Sequence, residues 1–134
     1  MSNQKSRRSG MQWFLMDLHI HTPASADFQE KGASYLDILH RAEMRGLDII
    51  AFTDHNTVGG YRAMMAETEQ LAYLEKLGRV KPDEKHRLHE YRRLLDKILV
   101  LPGAVLFHRS YNNLARIFSP QMTVRELEHI LLNL

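Results

Sequence analysis

Two apolar runs, each ending abruptly in histidine and aspartate, flank one amphipathic segment, and no other feature of the chain narrows its fold so far. The first, "WFLMDLHI", reads as a buried strand that stops at His21-Thr22-Pro23, where proline ends strand pairing. A loop follows to about residue 33. Ser34 then has the character of an N-cap with Asp37 three residues later, and Tyr35, Ile38, Leu39 and Ala42 fall at helical spacing before Gly46. This predicts a helix from Tyr35 to Arg45. The second run, Leu47 to Phe52 of "LDIIAFTDHNT", turns polar at Thr53, as expected for a strand covered on both faces. Strand, helix and strand in this order predict a right-handed βαβ unit with a parallel pair, hence an α/β fold.

The polar ends of these strands carry the chemistry. On a regular strand Asp17, His19 and His21 share one side while Leu18 and Ile20 point the other way. Ligands of parallel α/β proteins collect at the carboxyl ends of the strands. His19 and His21 end the first strand, and Asp54 and His55 end the second. Neighbouring strands lie about 5 Å apart, so the two ends can converge on an ion. Asp27, on the loop after His21, can return to the same place. A single strand-end histidine is more often a satisfied polar group than a ligand, and Asp54 alone would pass for a turn residue. Their conjunction weighs the other way, because polar groups gathered at buried strand ends need partners. The chain has no cysteine, so thiolate sites and disulfides are excluded. Histidine and carboxylate donors suit zinc, manganese or iron without selecting among them.

Composition limits the alternatives. With 134 residues, 44% hydrophobic and 25% charged, the chain matches one ordinary domain. A net charge of +2, with basic residues spread out except at "KSRR", signals no nucleic-acid interface. Residues 1–11 read as a disordered basic arm, and no apolar stretch after them suits a signal peptide or a membrane span, which agrees with a cytoplasmic protein.

Beyond the βαβ unit, "GGYRAMMAETEQLAYLEKLG" and "KPDEKHRLHEYRRLLDKI" predict two amphipathic helices, a helical insertion spanning about 65–97. "ILVLPG" resumes as a short strand. "TVRELEHILLNL" closes as a helix capped by Thr123 and Glu126, and the pattern reads as interrupted at Leu134. His40, His86, His89 and His129 fall on predicted helices, where solvated faces account for them. Gly59-Gly60 reads as a helix start whose backbone can approach an anion.

"DLHIHTPASADF" followed by "GLDIIAFTDHNTVGGY" resembles the first two motifs of the polymerase and histidinol phosphatase (PHP) family, over about Asp17 to Tyr61. The resemblance implies the N-terminal part of a distorted (β/α)7 barrel, incomplete here because such barrels need roughly 200 residues or more. It further implies a site of two or three metals that hydrolyses phosphoesters. Carried over, His19, His21, Asp27 and His55 would be metal ligands, and Asp54 would orient His55 or another ligand from behind, as metal-bound imidazoles require. The implied substrate is a phosphorylated small molecule or nucleotide. The family's third motif, a glycine followed within two residues by a metal-bridging glutamate, is replaced by "LPGAVLF". Residues 104–116 look unlike the family, whereas "IFSPQMTVRELEHILLNL" resembles it again, a pattern that a compensating pair of frameshifts would produce. Two functions follow as expectations: a metal-dependent phosphoesterase in truncated form, or a non-catalytic PHP-like remnant that binds through self-association or another chain.

Overall fold

The computed structural model describes residues 12–108 and 111–133. Among the described residues regular structure begins at β1 (Met16–Ile20), followed by α1 (Tyr35–Met44) and β2 (Ile49–His55). Two helices, α2 (Gly59–Lys76) and α3 (Pro82–Lys97), lead to β3 (Leu99–His108), β4 (Tyr111–Ile117) and α4 (Val124–Leu132). The four strands form one curled sheet in sequence order, giving a mixed α/β fold with four helices among the described residues. β1, β2 and β3 are parallel, and β4 is antiparallel to β3. The basic arm expected at 1–11 lies outside the described residues.

Local signals set the element boundaries. Ser34 caps α1: its hydroxyl accepts the Asp37 N–H at 3.1 Å, and its own N–H donates to the Asp37 carboxylate at 2.8 Å. That reciprocal pair holds the Asp37 carboxyl below its ordinary pKa. Thr123 and Glu126 start α4 in the same way. The parallel β1–α1–β2 unit matches the sequence pattern, yet β1 differs in two respects. It is the edge strand, so the run expected to be buried is exposed, with Trp13 at 80% and Leu15 at 55%. It also carries an irregular register: Asp17 pairs with Ile50 and Ile20 with Phe52, so one extra residue is accommodated between them. The bulge breaks the alternation. Asp17 therefore lies on the helix side with Ile20, in a cleft that it lines together with His21, Ile38, Ala42 and Leu47.

The helices read as an insertion are integral to the core. Tyr61, Met64 and Leu71 from α2 and Leu88, Tyr91 and Leu94 from α3 pack with Leu39, Ile50, Phe52 and Val100. The buried Tyr91 hydroxyl donates to Glu67 at 2.6 Å, and burial raises the phenol pKa to about 12. At the surface Glu43 of α1 accepts from Arg93 and Lys97 of α3, which together lower its pKa to about 2. Arg62 of α2 donates to Glu128 of α4 at 2.6 Å. No helix among the described residues is long and apolar enough to cross a membrane.

Residues 104–108 of β3 and residues 111–117 of β4 form an antiparallel pair that the sequence pattern does not predict. At Gly103 a Cβ would lie 2.7 Å from the Arg116 carbonyl oxygen, so only glycine lets β4 approach so closely. Because β2 and β3 are in regular register, Asp54 lies beside Ala104 and His55 beside Val105.

Candidate metal centre

The two faces of β2 divide the work at its carboxyl end. Ile50, Phe52 and Asp54 point to the helix side, and Thr53 and His55 to the other. Asp54 is thus buried behind the sheet, 1% exposed, whereas His55 reaches solvent. A buried carboxylate needs donors. Asp54 Oδ1 accepts the Thr22 N–H at 2.7 Å and the Ser25 hydroxyl at 2.8 Å, and Oδ2 accepts the Thr22 hydroxyl at 2.7 Å. These three bonds clamp the start of the loop after β1. A turn from the Ser25 N–H to the Thr22 carbonyl, 2.9 Å, closes the same segment.

The clamp places the exposed donors. Ligand-capable atoms of His21, Asp27 and His55 lie within 4.8 Å of one another. His21 and His55 stack at 4.8 Å between ring centroids with planes 18° apart. His55 Nε2–H donates to Asp27 Oδ2 at 3.0 Å, since a carboxylate can only accept. That bond, more than any other cause, holds the Asp27 carboxyl below its ordinary pKa. His19 stands edge-on to His21, 4.9 Å between centroids, outside this three-residue group. Asp54 does not touch the His55 ring; its hydroxyl partner Ser25 accepts the His55 backbone N–H at 3.2 Å and lies 3.3 Å from His21 Nδ1. Asp54, expected to orient His55 or another ligand from behind, is joined to His21 and to the His55 backbone through Ser25.

The donor set fits a divalent ion. Two imidazoles and a carboxylate, with the His55 and Asp27 side chains 39% and 57% exposed, form a three-ligand set that leaves coordination positions open on the solvent side. Thr53, on the same face as His55, has a buried Oγ1 without a partner, which adds an unmet polar demand beneath the site. On the adjoining strand the position level with His55 is Val105, 1% exposed, so β3 offers no donor there.

Sequence reasoning overlooked Thr22 and Ser25. The signal was present in "HTPASAD": small hydroxyl residues between a ligand-type histidine and an aspartate, in a proline turn, are suited to bond backbone and carboxylate groups. The sequence marks Gly59-Gly60 as a helix start whose backbone can approach an anion. In the structure that anion is internal: a Cβ on Gly60 would lie 2.1 Å from Thr22 Oγ1 and 2.3 Å from Asp54 Oδ2. Gly60→Ala is expected to push this pair apart and to cost about 1–3 kcal/mol of stability, read from the midpoint of urea unfolding. An unchanged midpoint would mean that the Thr22–Asp54 pair is dispensable.

Comparison with models of known families, with curated proteins and with solved structures gave no match to this chain.

Proposed function

We propose that this chain is a metal-dependent phosphoesterase of the PHP type, built on the N-terminal part of a distorted (β/α)7 barrel and working in the cytoplasm. The observation that supports this reading best is the convergence of His21, Asp27 and His55 at the carboxyl ends of two parallel strands. The chemistry a bound zinc, manganese or iron ion supplies is a water acidified from about 15.7 toward about 7, together with charge neutralisation at the phosphoryl oxygens.

The chain's own residues have distinct duties. His21 and His55 would hold the ion with ring nitrogens, Asp27 would add the negative charge, and His19, next to His21, would be the remaining donor of the His-x-His pair. For Nε2 of His55 to become a donor to an ion, the proton it shares with Asp27 would have to pass through solvent to Nδ1, leaving a neutral imidazole with a free lone pair at Nε2. Asp27, held below its ordinary pKa, remains an anion through that exchange. Asp54 fixes the loop by accepting from Thr22 and Ser25. The open side of the site admits a phosphorylated small molecule or nucleotide.

One observation favours a second reading. Val105 sits level with His55 where the family resemblance would place a bridging glutamate, so the same site on a non-catalytic PHP-like module would bind metal without turnover. Such a module would act through association with another chain or a second copy. Both readings are tested by loading the purified protein with Mn²⁺ or Zn²⁺, measuring metal by elemental analysis, and assaying phosphate release from p-nitrophenyl phosphate. Retained metal with metal-dependent release supports the phosphoesterase, and retained metal without release supports the module. Protein that retains neither ion overturns both.

A further inference from the structure

The geometry points to Ser25 as a positioning residue that fixes the proton of His21 on Nδ1 and so leaves Nε2 as its free lone pair. This rests on the metal-site reading for its purpose, and on hydrogen-bond counting alone for its substance.

A serine hydroxyl has one proton to give and two lone pairs to receive. Ser25 Oγ has three polar neighbours: Asp54 Oδ1 at 2.8 Å, the His55 backbone nitrogen at 3.2 Å and His21 Nδ1 at 3.3 Å. The His55 N–H can only donate, so it occupies one lone pair of Ser25. Asp54 Oδ1 already receives the Thr22 N–H and acts as an acceptor, so the Ser25 proton goes to it. What remains on Ser25 is a single lone pair facing His21. His21 must therefore donate through Nδ1–H, and every capacity of the hydroxyl is used.

A neutral imidazole in water favours the opposite tautomer, with its proton on Nε2, and a specific partner is needed to reverse that preference. Here the partner is buried: Ser25 is 5% exposed and Asp54 1%. The chain Asp54, Ser25, His21 thus transmits the constraint of a buried carboxylate to the His21 ring. Metal-ligating histidines have their second nitrogen engaged in this fashion, and the partner sets which nitrogen binds. The same hydroxyl also receives the backbone of His55, so one atom sets the register between the two stacked rings.

The test is a long-range ¹H–¹⁵N correlation spectrum of the full chain without metal at about pH 8.5, well above the usual imidazole range. Wild-type His21 is expected to show the Nδ1–H pattern. Ser25→Ala is expected to convert it largely to Nε2–H, and Ser25→Thr to retain Nδ1–H. A wild-type His21 found as Nε2–H overturns the inference, as does a Ser25→Ala spectrum that keeps Nδ1–H. If Ser25→Ala fails to fold, the wild-type spectrum and that of Ser25→Thr still decide it. Zinc titration by calorimetry forms a separate arm, with a loss of about 10–100-fold expected for Ser25→Ala. Wild-type protein that shows Nδ1–H but binds no zinc would overturn the metal reading and leave the tautomer assignment standing.

Discussion

Asp54→Ala is expected to lower unfolding stability by about 3 kcal/mol, a large loss for a change outside the apolar core. The side chain accepts the Thr22 N–H, the Thr22 hydroxyl and the Ser25 hydroxyl at 2.7–2.8 Å, all three bonds buried. The two hydroxyls can rotate in search of other acceptors, but the Thr22 N–H cannot, and an orphaned buried donor costs about 1–3 kcal/mol. The remainder comes from the space left beneath Gly60, where the start of α2 is in close contact with the lost carboxylate. Asp54→Asn should lose less, because Oδ1 is preserved for Thr22 and Ser25 while the amide nitrogen meets Thr22 Oγ1 in place of an acceptor. Urea unfolding of the three proteins checks this ranking. A loss below about 1 kcal/mol for Asp54→Ala would show that water replaces the carboxylate and that the clamp is not the source of the loop's order.

The second large effect concerns affinity. His21→Ala and His55→Ala are each expected to weaken Zn²⁺ binding by about 1,000-fold, since loss of an outer partner alone costs 10–100-fold and these are direct donors. Combining them should add little beyond the first loss, because residues that act on one ion are not independent. Stability without metal should change by no more than about 0.5 kcal/mol for His55→Ala, whose side chain lies at the surface. His89→Ala, on an exposed position of α3, is the control and should bind as wild type does. Calorimetric titration gives all four values. Equal affinity in wild type and His55→Ala would remove His55 from the site.

How far the sequence reached can be seen residue by residue. The βαβ unit was legible because its signals are local: the Ser34 capping box, the apolar run into Phe52, the glycine after α1. His19, His21, Asp27 and His55 stand out together in the sequence because they are donor residues at or near two strand ends, and the structure brings the last three within reach of one another. The bulge in β1 was not legible, since the register between strands depends on how Ile20 and Phe52 seat against the helices, and no pattern within β1 encodes it. The exposure of Trp13 to Met16 escaped for a related reason: an apolar strand does not reveal whether a neighbour lies beyond it. Thr22 and Ser25 looked like loop filler because their partner, Asp54, is about thirty residues away and on the far side of the sheet. β4 was hidden for want of amphipathic alternation, its place being set by pairing with β3 and by the absence of a side chain at Gly103.

The reversal at β4 has a meaning for any attempt to build on this site. In a succession of parallel units every strand empties onto one rim, and each addition brings a new loop to the same chemistry. β4 travels the other way: it enters opposite His108, beyond the level of Val105, and leaves opposite Gly103. A carboxylate grafted at the end of β4 would therefore be carried away from the histidines. One placed at Val105, beside His55, would meet them, so the third strand is where a designer should write first.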